Sequence, residues 1–193
     1  MSSKFYIADT HFYHDNIRLL DYRPFASVEE MNAEMIRRWN DAVSPSDFVY
    51  IVGDMCWYKN DSWREIVPQL RGNKVLIRGN HDPHRIPADV RQLFAGVHDS
   101  LTVHDGDYSV FLCHYPVLFY PNSFRENTVH LCGHVHTTEE NTMLEEFRTE
   151  LRRRRPLHDG GGNRGRIINV GAMMPYMDYT PRTLEYILQA TGL

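Results

Sequence analysis

Five strand-length apolar runs in this chain end, within three residues, on Asp, Asn or His. They are residues 4–8, 48–52, 74–77, 108–113 and 129–132, and a sixth run at 166–170 lacks such an ending. Each run is short and bounded by polar residues or Gly, as β-strands are. Helical patterns lie between the early ones. Ser27 and Glu30 carry a capping-box signature ahead of Val28, Met31, Met35, Ile36 and Trp39 at helical spacing, and a second helix is expected over 62–70. From about Val97 to Cys132 the runs follow one another with little room for a crossover helix, which predicts a mixed sheet. The fold class expected is α/β. A chain of 193 residues, 42% hydrophobic, suits one domain spanning 1–193. The charged segment 138–166 reads as an insertion in it.

The formal charge of -4 (21 basic against 25 acidic residues) marks no surface for nucleic acid or anionic membrane, so long nucleic acid is not an expected partner. Cys56, Cys113 and Cys132 are odd in number and lack metal or redox spacing, so they read as reduced core residues of a cytoplasmic protein. No apolar stretch approaches the roughly 20 residues of a spanning helix, so no membrane partner is expected.

The residues that follow the runs are Asp9 and His11, then Asp54, then Asn80 and His81, then His114, then His134 and His136. In open α/β sheets the carboxyl ends of strands share one crevice, so loops distant in sequence can deliver ligands to one point. Singly, such residues are turns, caps or core histidines; five in series point to a metal site. Carboxylate, imidazole and amide oxygen together suit Mn, Fe, Co, Ni or Zn. Two such ions about 3.5–4 Å apart would lower the pKa of a bridging water and clamp both oxygens of a phosphoryl transfer. Asp54, turned out of the sheet end by Gly53, is the candidate bridge and catalytic carboxylate. His134 and His136, one residue apart after Gly133, would face one ion each.

These residues resemble a known family. "DTH" at Asp9–His11, "GD" at Gly53–Asp54, "GNHD" at Gly79–Asp82, "CHYP" around His114 and "GHVH" at Gly133–His136 look like the ordered signature of calcineurin-like metallophosphoesterases. The resemblance implies a four-layer α/β/β/α sandwich of two sheets. It implies that Asp9, His11, Asp54 and His136 hold one ion, with Mn the first choice, and that Asp54, Asn80, His114 and His134 hold the other. It also implies that His81 stays off the metals and donates a proton to the leaving alkoxide or contacts the phosphate. Asp82, before Pro83, reads as the N-cap of a following helix. "DTHFYHDN" followed by "RPF" at Arg23–Phe25, with "NVGAMMPYMDYTPRTLEYI" near the end, resembles a compact bacterial and phage subgroup.

The expected activity is hydrolysis of a small or nucleotide-like phosphodiester, the alternatives being a phosphomonoesterase and a catalytically silent scaffold. His14, Arg23, Arg78 and Tyr115 are candidate substrate contacts. The segment 138–166 starts at the mouth of the site and could be a lid. Its stripe of Met143, Leu144, Phe147 and Leu151 suits either a docked surface helix or the seam of a homodimer. Arg152–Arg155 with Arg164 and Arg166 could form a basic rim, with Gly160–Gly162 as a hinge.

Overall fold

In the computed structural model, which describes residues 2–57, 61–154 and 165–193, strands and helices alternate in the first half of the chain. The order is β1 (Lys4–Ile7), α1 (Asp15–Leu20), α2 (Val28–Ala42), β2 (Phe48–Val52), α3 (Ser62–Ile66), β3 (Asn73–Ile77), α4 (Ala88–Arg91) and β4 (Gly96–His98). There follow β5 (Ser100–Asp105), β6 (Tyr108–Cys113), β7 (Thr128–Cys132), α5 (Glu139–Arg153), β8 (Ile167–Asn169), β9 (Arg182–Thr183) and α6 (Leu184–Thr191). One sheet has the order β4-β3-β2-β1-β9 and the other β5-β6-β7-β8. Both are mixed, because β9 and β5 run antiparallel to their neighbours while the remaining pairs are parallel.

The layers follow from which faces are apolar. Residues of β1–β3 and of β6–β8 share one core that includes Ile7, Ile51, Leu76, Leu112, Leu131 and Ile168. The α2 helix covers the outside of the first sheet by burying Met31, Met35 and Trp39. Each such side chain removed from water contributes about 1.5–3 kcal/mol. Ser27 caps this helix as expected, its Oγ accepting from the Glu30 N–H at 3.2 Å. The α5 helix covers the outside of the second sheet, packing Leu144 with Cys132, Val135 and Ile167. These layers make the four-layer sandwich.

Register places the site. Ile7 pairs with Ile51, and Val52 with Ile77, so β1, β2 and β3 end in line. Leu112 pairs with Leu131, and Leu131 with Ile168, which does the same for the second sheet. The two aligned ends are tied to each other: Ala8 N–H donates to Val170 O, and Ala172 N–H to Ala8 O, each at 2.8 Å.

Some expectations need correction. The helix over 62–70 stops at Ile66 and tightens into a 3-10 turn, Val67–Gln69, because Pro68 has no N–H for an α-helical bond. Asp82 caps no helix: the next one begins at Ala88, after Pro87. Met143 is 61% exposed, since it sits about 100° around α5 from the buried Leu144. Arg153 and Arg154 both pair with Glu150, so the basic rim loses two members to their own helix. Arg155, Arg164 and the Gly160–Gly162 hinge lie outside the described residues.

His130 of β7 illustrates the other fate of a histidine in an apolar run. It is fully buried, its Nδ1 lies 3.1 Å from Phe111 O, and its Nε2 accepts the Val117 N–H at 3.0 Å. Burial pushes its pKa down to about 4. Between about pH 6.5 and 4 the unfolded chain therefore binds a proton that the folded chain does not, so stability falls as pH falls through that window. The expected loss is about 3 kcal/mol. Urea titrations at pH 7 and pH 4.5 would show it, and His130→Gln should remove that part of the slope; an unchanged slope would refute the assignment.

Candidate metal centre

The side chains that follow the strand ends meet where the two sheets join. Two clusters of ligand atoms form, Asp9 with His11 and His136, and Asp9 with Asp54 and His114. Asp54 Oδ2 lies 3.8 Å from His11 Nε2 on one side and 3.3 Å from His114 Nε2 on the other. Asn80 Oδ1 lies 3.0 Å from His114 Nε2 and 2.8 Å from His134 Nδ1. The structure thus brings together all seven residues proposed as ligands.

Backbone conformation, invisible to apolar patterning, aims them. Asp9, His11, Asp54, His134 and His136 all have φ between 46° and 73°. This left-handed region is sparsely used by non-glycine residues, although Asp and His tolerate it better than most, and strain of this kind collects at functional sites. It breaks each strand and turns the side chain across the sheet end. Two glycines make room for the result. A Cβ on Gly53, where φ is 87°, would sit 2.1 Å from His114 Nδ1, and one on Gly79 would sit 2.2 Å from Asp54 Oδ1.

The donor set fits divalent ions by its hydrogen-bond logic. His114 Nδ1 lies 3.0 Å from Val52 O, and a carbonyl only accepts, so Nδ1 carries the proton. The neutral ring then turns its Nε2 lone pair toward Asp54 Oδ2 and Asn80 Oδ1, two further acceptors. Only a proton or a shared cation satisfies all three. Burial lowers the His114 pKa, but the Asp54 hydrogen bond and the charges of Asp9 and Asp54 outweigh it and raise it to about 9. His136 repeats the pattern: Nδ1 donates to Asp21 Oδ1 at 2.8 Å, and Nε2 faces Asp9 Oδ1 at 3.7 Å. Nε2 of the buried His11 has no hydrogen-bond partner among the described residues. Asp9, Asp54 and Asp82 are all buried, an accumulation of negative charge that is costly without a compensating cation.

Asp82 has a role that its neighbour Pro83 concealed. Its carboxylate accepts from the N–H groups of Asp54, Met55 and Gly79 at 2.8–3.0 Å, locking the loop after β2 to the loop after β3. His81 is exposed, and its N–H donates to Asp54 Oδ1 at 2.8 Å. The His81 and His11 ring centres are 5.5 Å apart.

The four candidate substrate contacts separate. His14 stacks on Trp57 at 4.1 Å, and its Nδ1 lies 3.4 Å from His11 Nδ1, so it backs that ring at the rim. Tyr115 is 47% exposed and meets the His134 ring edge-on at 4.6 Å, beside a cleft of about 410 Å³ lined in part by Arg78, Asn80 and Asp99. Arg78, however, is spent on Asp99 and on His84 O. Arg23 is not at the rim at all: its guanidinium is buried behind Asp9 and His11, because its N–H groups bond Asp9 O, Thr10 O and Asp21. Trp57 and Asp21 were missed, since one follows a Cys in an unremarkable loop and the other lies 115 residues from its partner His136.

A model of the calcineurin-like phosphoesterase family matches residues 5–160. The uncharacterized protein MJ1445 of Methanocaldococcus jannaschii is 46% identical over 84 residues, 42% of this chain and 48% of that protein. The gene 66 protein of Mycobacterium phage L5 is 34% identical over 98 residues, 48% of this chain and 46% of that protein. The chain therefore spans about half the length of these relatives. The crystal structure of AQ665 from Aquifex aeolicus, a protein of unknown function, aligns with 98% of this chain and 100% of its own at TM-score 0.68 and 24% identity, which shows a common fold.

Proposed function

The chain belongs to the calcineurin-like phosphoesterase family, and from that premise we propose that it is a two-metal phosphodiesterase acting on a small or nucleotide-like substrate. The observation that carries the proposal is the convergence of two carboxylates, four imidazoles and one amide at the joined sheet ends, with ring lone pairs facing oxygens. Asp9, His11, Asp54 and His136 would hold one ion, and Asp54, Asn80, His114 and His134 the other. When bound, borderline divalent ions, Mn first among Mn, Fe, Co, Ni and Zn, supply Lewis acidity and a water acidic enough to attack phosphorus at neutral pH.

The chain's own residues would do the rest. Asp54 accepts the His81 backbone N–H through Oδ1, which ties the proposed bridging carboxylate to the loop that carries the proton donor. His81 protonates the leaving oxygen. The His14–Trp57 stack beside His11 and Tyr115 beside His134 offer ring surfaces against which a base or another ring of the substrate could lie.

Diesters are favoured because a monoester dianion calls for extra fixed cations, and neither arginine considered for that role is free: Arg23 and Arg78 are committed to Asp21 and Asp99. Metal-stripped protein resupplied with Mn²⁺ should hydrolyse bis-p-nitrophenyl phosphate faster than p-nitrophenyl phosphate. Preference for the monoester would establish the phosphatase reading instead. No turnover with any of the five metals would count against hydrolysis altogether.

No helix among the described residues is long and apolar enough to cross a membrane. Cys56, Cys113 and Cys132 are free thiols, which accords with the proposed cytoplasmic location. The α5 helix, docked through Leu144 and the buried Arg148, would form one wall of the entrance.

A further inference from the structure

We infer that Arg23 and Asp21 form a clamp that preorganises one of the two ion sites, the one made by Asp9, His11 and His136, and so make it the tighter of the two. The inference rests on the two-metal reading above.

Asp9 directly, His136 through Asp21, and the peptide that leads into His11 are tied to a single buried cation. Nη2 of Arg23 donates to Asp9 O and Nη1 to Thr10 O, each at 2.8 Å. Asp9, Thr10 and His11 are consecutive, and the first and last are in the left-handed conformation. Arg23 therefore pins two carbonyls of the strained turn that presents Asp9 and His11. Nε and Nη2 of the same guanidinium donate to Asp21 Oδ2 at 3.0 and 2.9 Å. The other oxygen of that carboxylate receives the His136 Nδ1 proton. Because a carboxylate only accepts, the contact fixes the His136 tautomer and leaves Nε2 as the lone pair facing Asp9. The side chains of Arg23 and Asp21 are 0% and 6% exposed, so water does not compete for these bonds.

At the opposite site Asp82 pins the backbone of Asp54 and Gly79, but the ligand side chains themselves are held less firmly. His114 is backed by a neutral carbonyl, Val52 O, while Asn80 is exposed and His134 half-buried. The His134 ring meets Asn80 Oδ1 through Nδ1 at 2.8 Å, and Asn80 is itself a proposed ligand. Partners of ligand histidines typically change metal affinity by about 10- to 100-fold when removed. An anionic partner with a fork-like donor behind it, on one site alone, is enough to separate the two affinities. Neither Asp21 nor Arg23 touches the reacting atoms; both are positioning residues.

The test is a calorimetric titration of metal-free wild-type protein and Asp21→Asn with Mn²⁺, repeated with Co²⁺ while recording the cobalt d–d absorption of each step. Wild type should bind in two steps of different affinity. Asp21→Asn should weaken the tighter step by about 10- to 100-fold and leave the weaker one in place. Arg23→Lys keeps the charge but loses the fork, and should weaken the same step by a smaller factor; it decides the matter if the first variant does not fold. An Asp21→Asn titration that matches wild type, or that loses the weaker step, overturns the clamp while the two-metal reading stands. A wild-type chain that binds fewer than two ions overturns that reading, and the clamp with it.

Discussion

Asp54→Asn should lower Mn²⁺-dependent diester hydrolysis by about 10³-fold or more while leaving the protein folded. The side chain belongs to the Asp9–Asp54–His114 cluster and reaches toward the other, with Oδ2 facing both His114 Nε2 and His11 Nε2. Exchanging that oxygen for an amide nitrogen removes the one anionic ligand shared by both proposed ions. Lewis-acid stabilisation is worth several kcal/mol, and each 1.36 kcal/mol is a factor of ten in rate. Asparagine keeps an oxygen at Oδ1, so the His81 N–H retains its acceptor and the loop keeps its shape. Initial rates on bis-p-nitrophenyl phosphate, with circular dichroism to confirm the fold, check the expectation. A variant within tenfold of wild type would remove Asp54 from the bridging role.

His81→Ala should separate substrates by leaving group. A general acid contributes about 10²–10⁴ in rate when the departing oxygen needs a proton. Diesters that release an alkoxide should slow by that factor. Those that release p-nitrophenolate, already a stable anion, should slow little. The His81 side chain is exposed, and its structural tie is made by the backbone, so alanine removes the imidazole and little else. Equal losses on both kinds of substrate would assign His81 to phosphate binding.

Much of this was legible because strand ends are legible. The runs at 48–52 and 108–113 match β2 and β6 residue for residue, and those at 4–8, 74–77, 129–132 and 166–170 miss their strands by one residue at one or both ends. Once the strands are placed, the polar residues after them can point only to the sheet edge. The terminal α6 helix and the two-residue β9 were not foreseen, since β9 is too short to show a period. Long-range polar partners escaped for a different reason. Asp82 acts across 27 and 28 residues, and Asp21 across 115, through single hydrogen bonds that leave no periodic trace. The charge of Arg23 makes it a candidate substrate contact in the sequence, where most arginines are exposed; only the tertiary structure shows three backbone and side-chain oxygens that bind it in the interior.

The five left-handed ligand residues also bear on how such a chain can change over generations. A left-handed backbone costs a non-glycine residue roughly 1–2 kcal/mol, so Asp9, His11, Asp54, His134 and His136 hold the fold below the stability it could reach. Replacing any of them by glycine relieves that burden and abolishes a ligand in the same stroke. A population selected for heat resistance alone would drift toward robust, inert proteins at these sites first, and persistence of the five residues in such a population would be a sign that selection still acts on the chemistry.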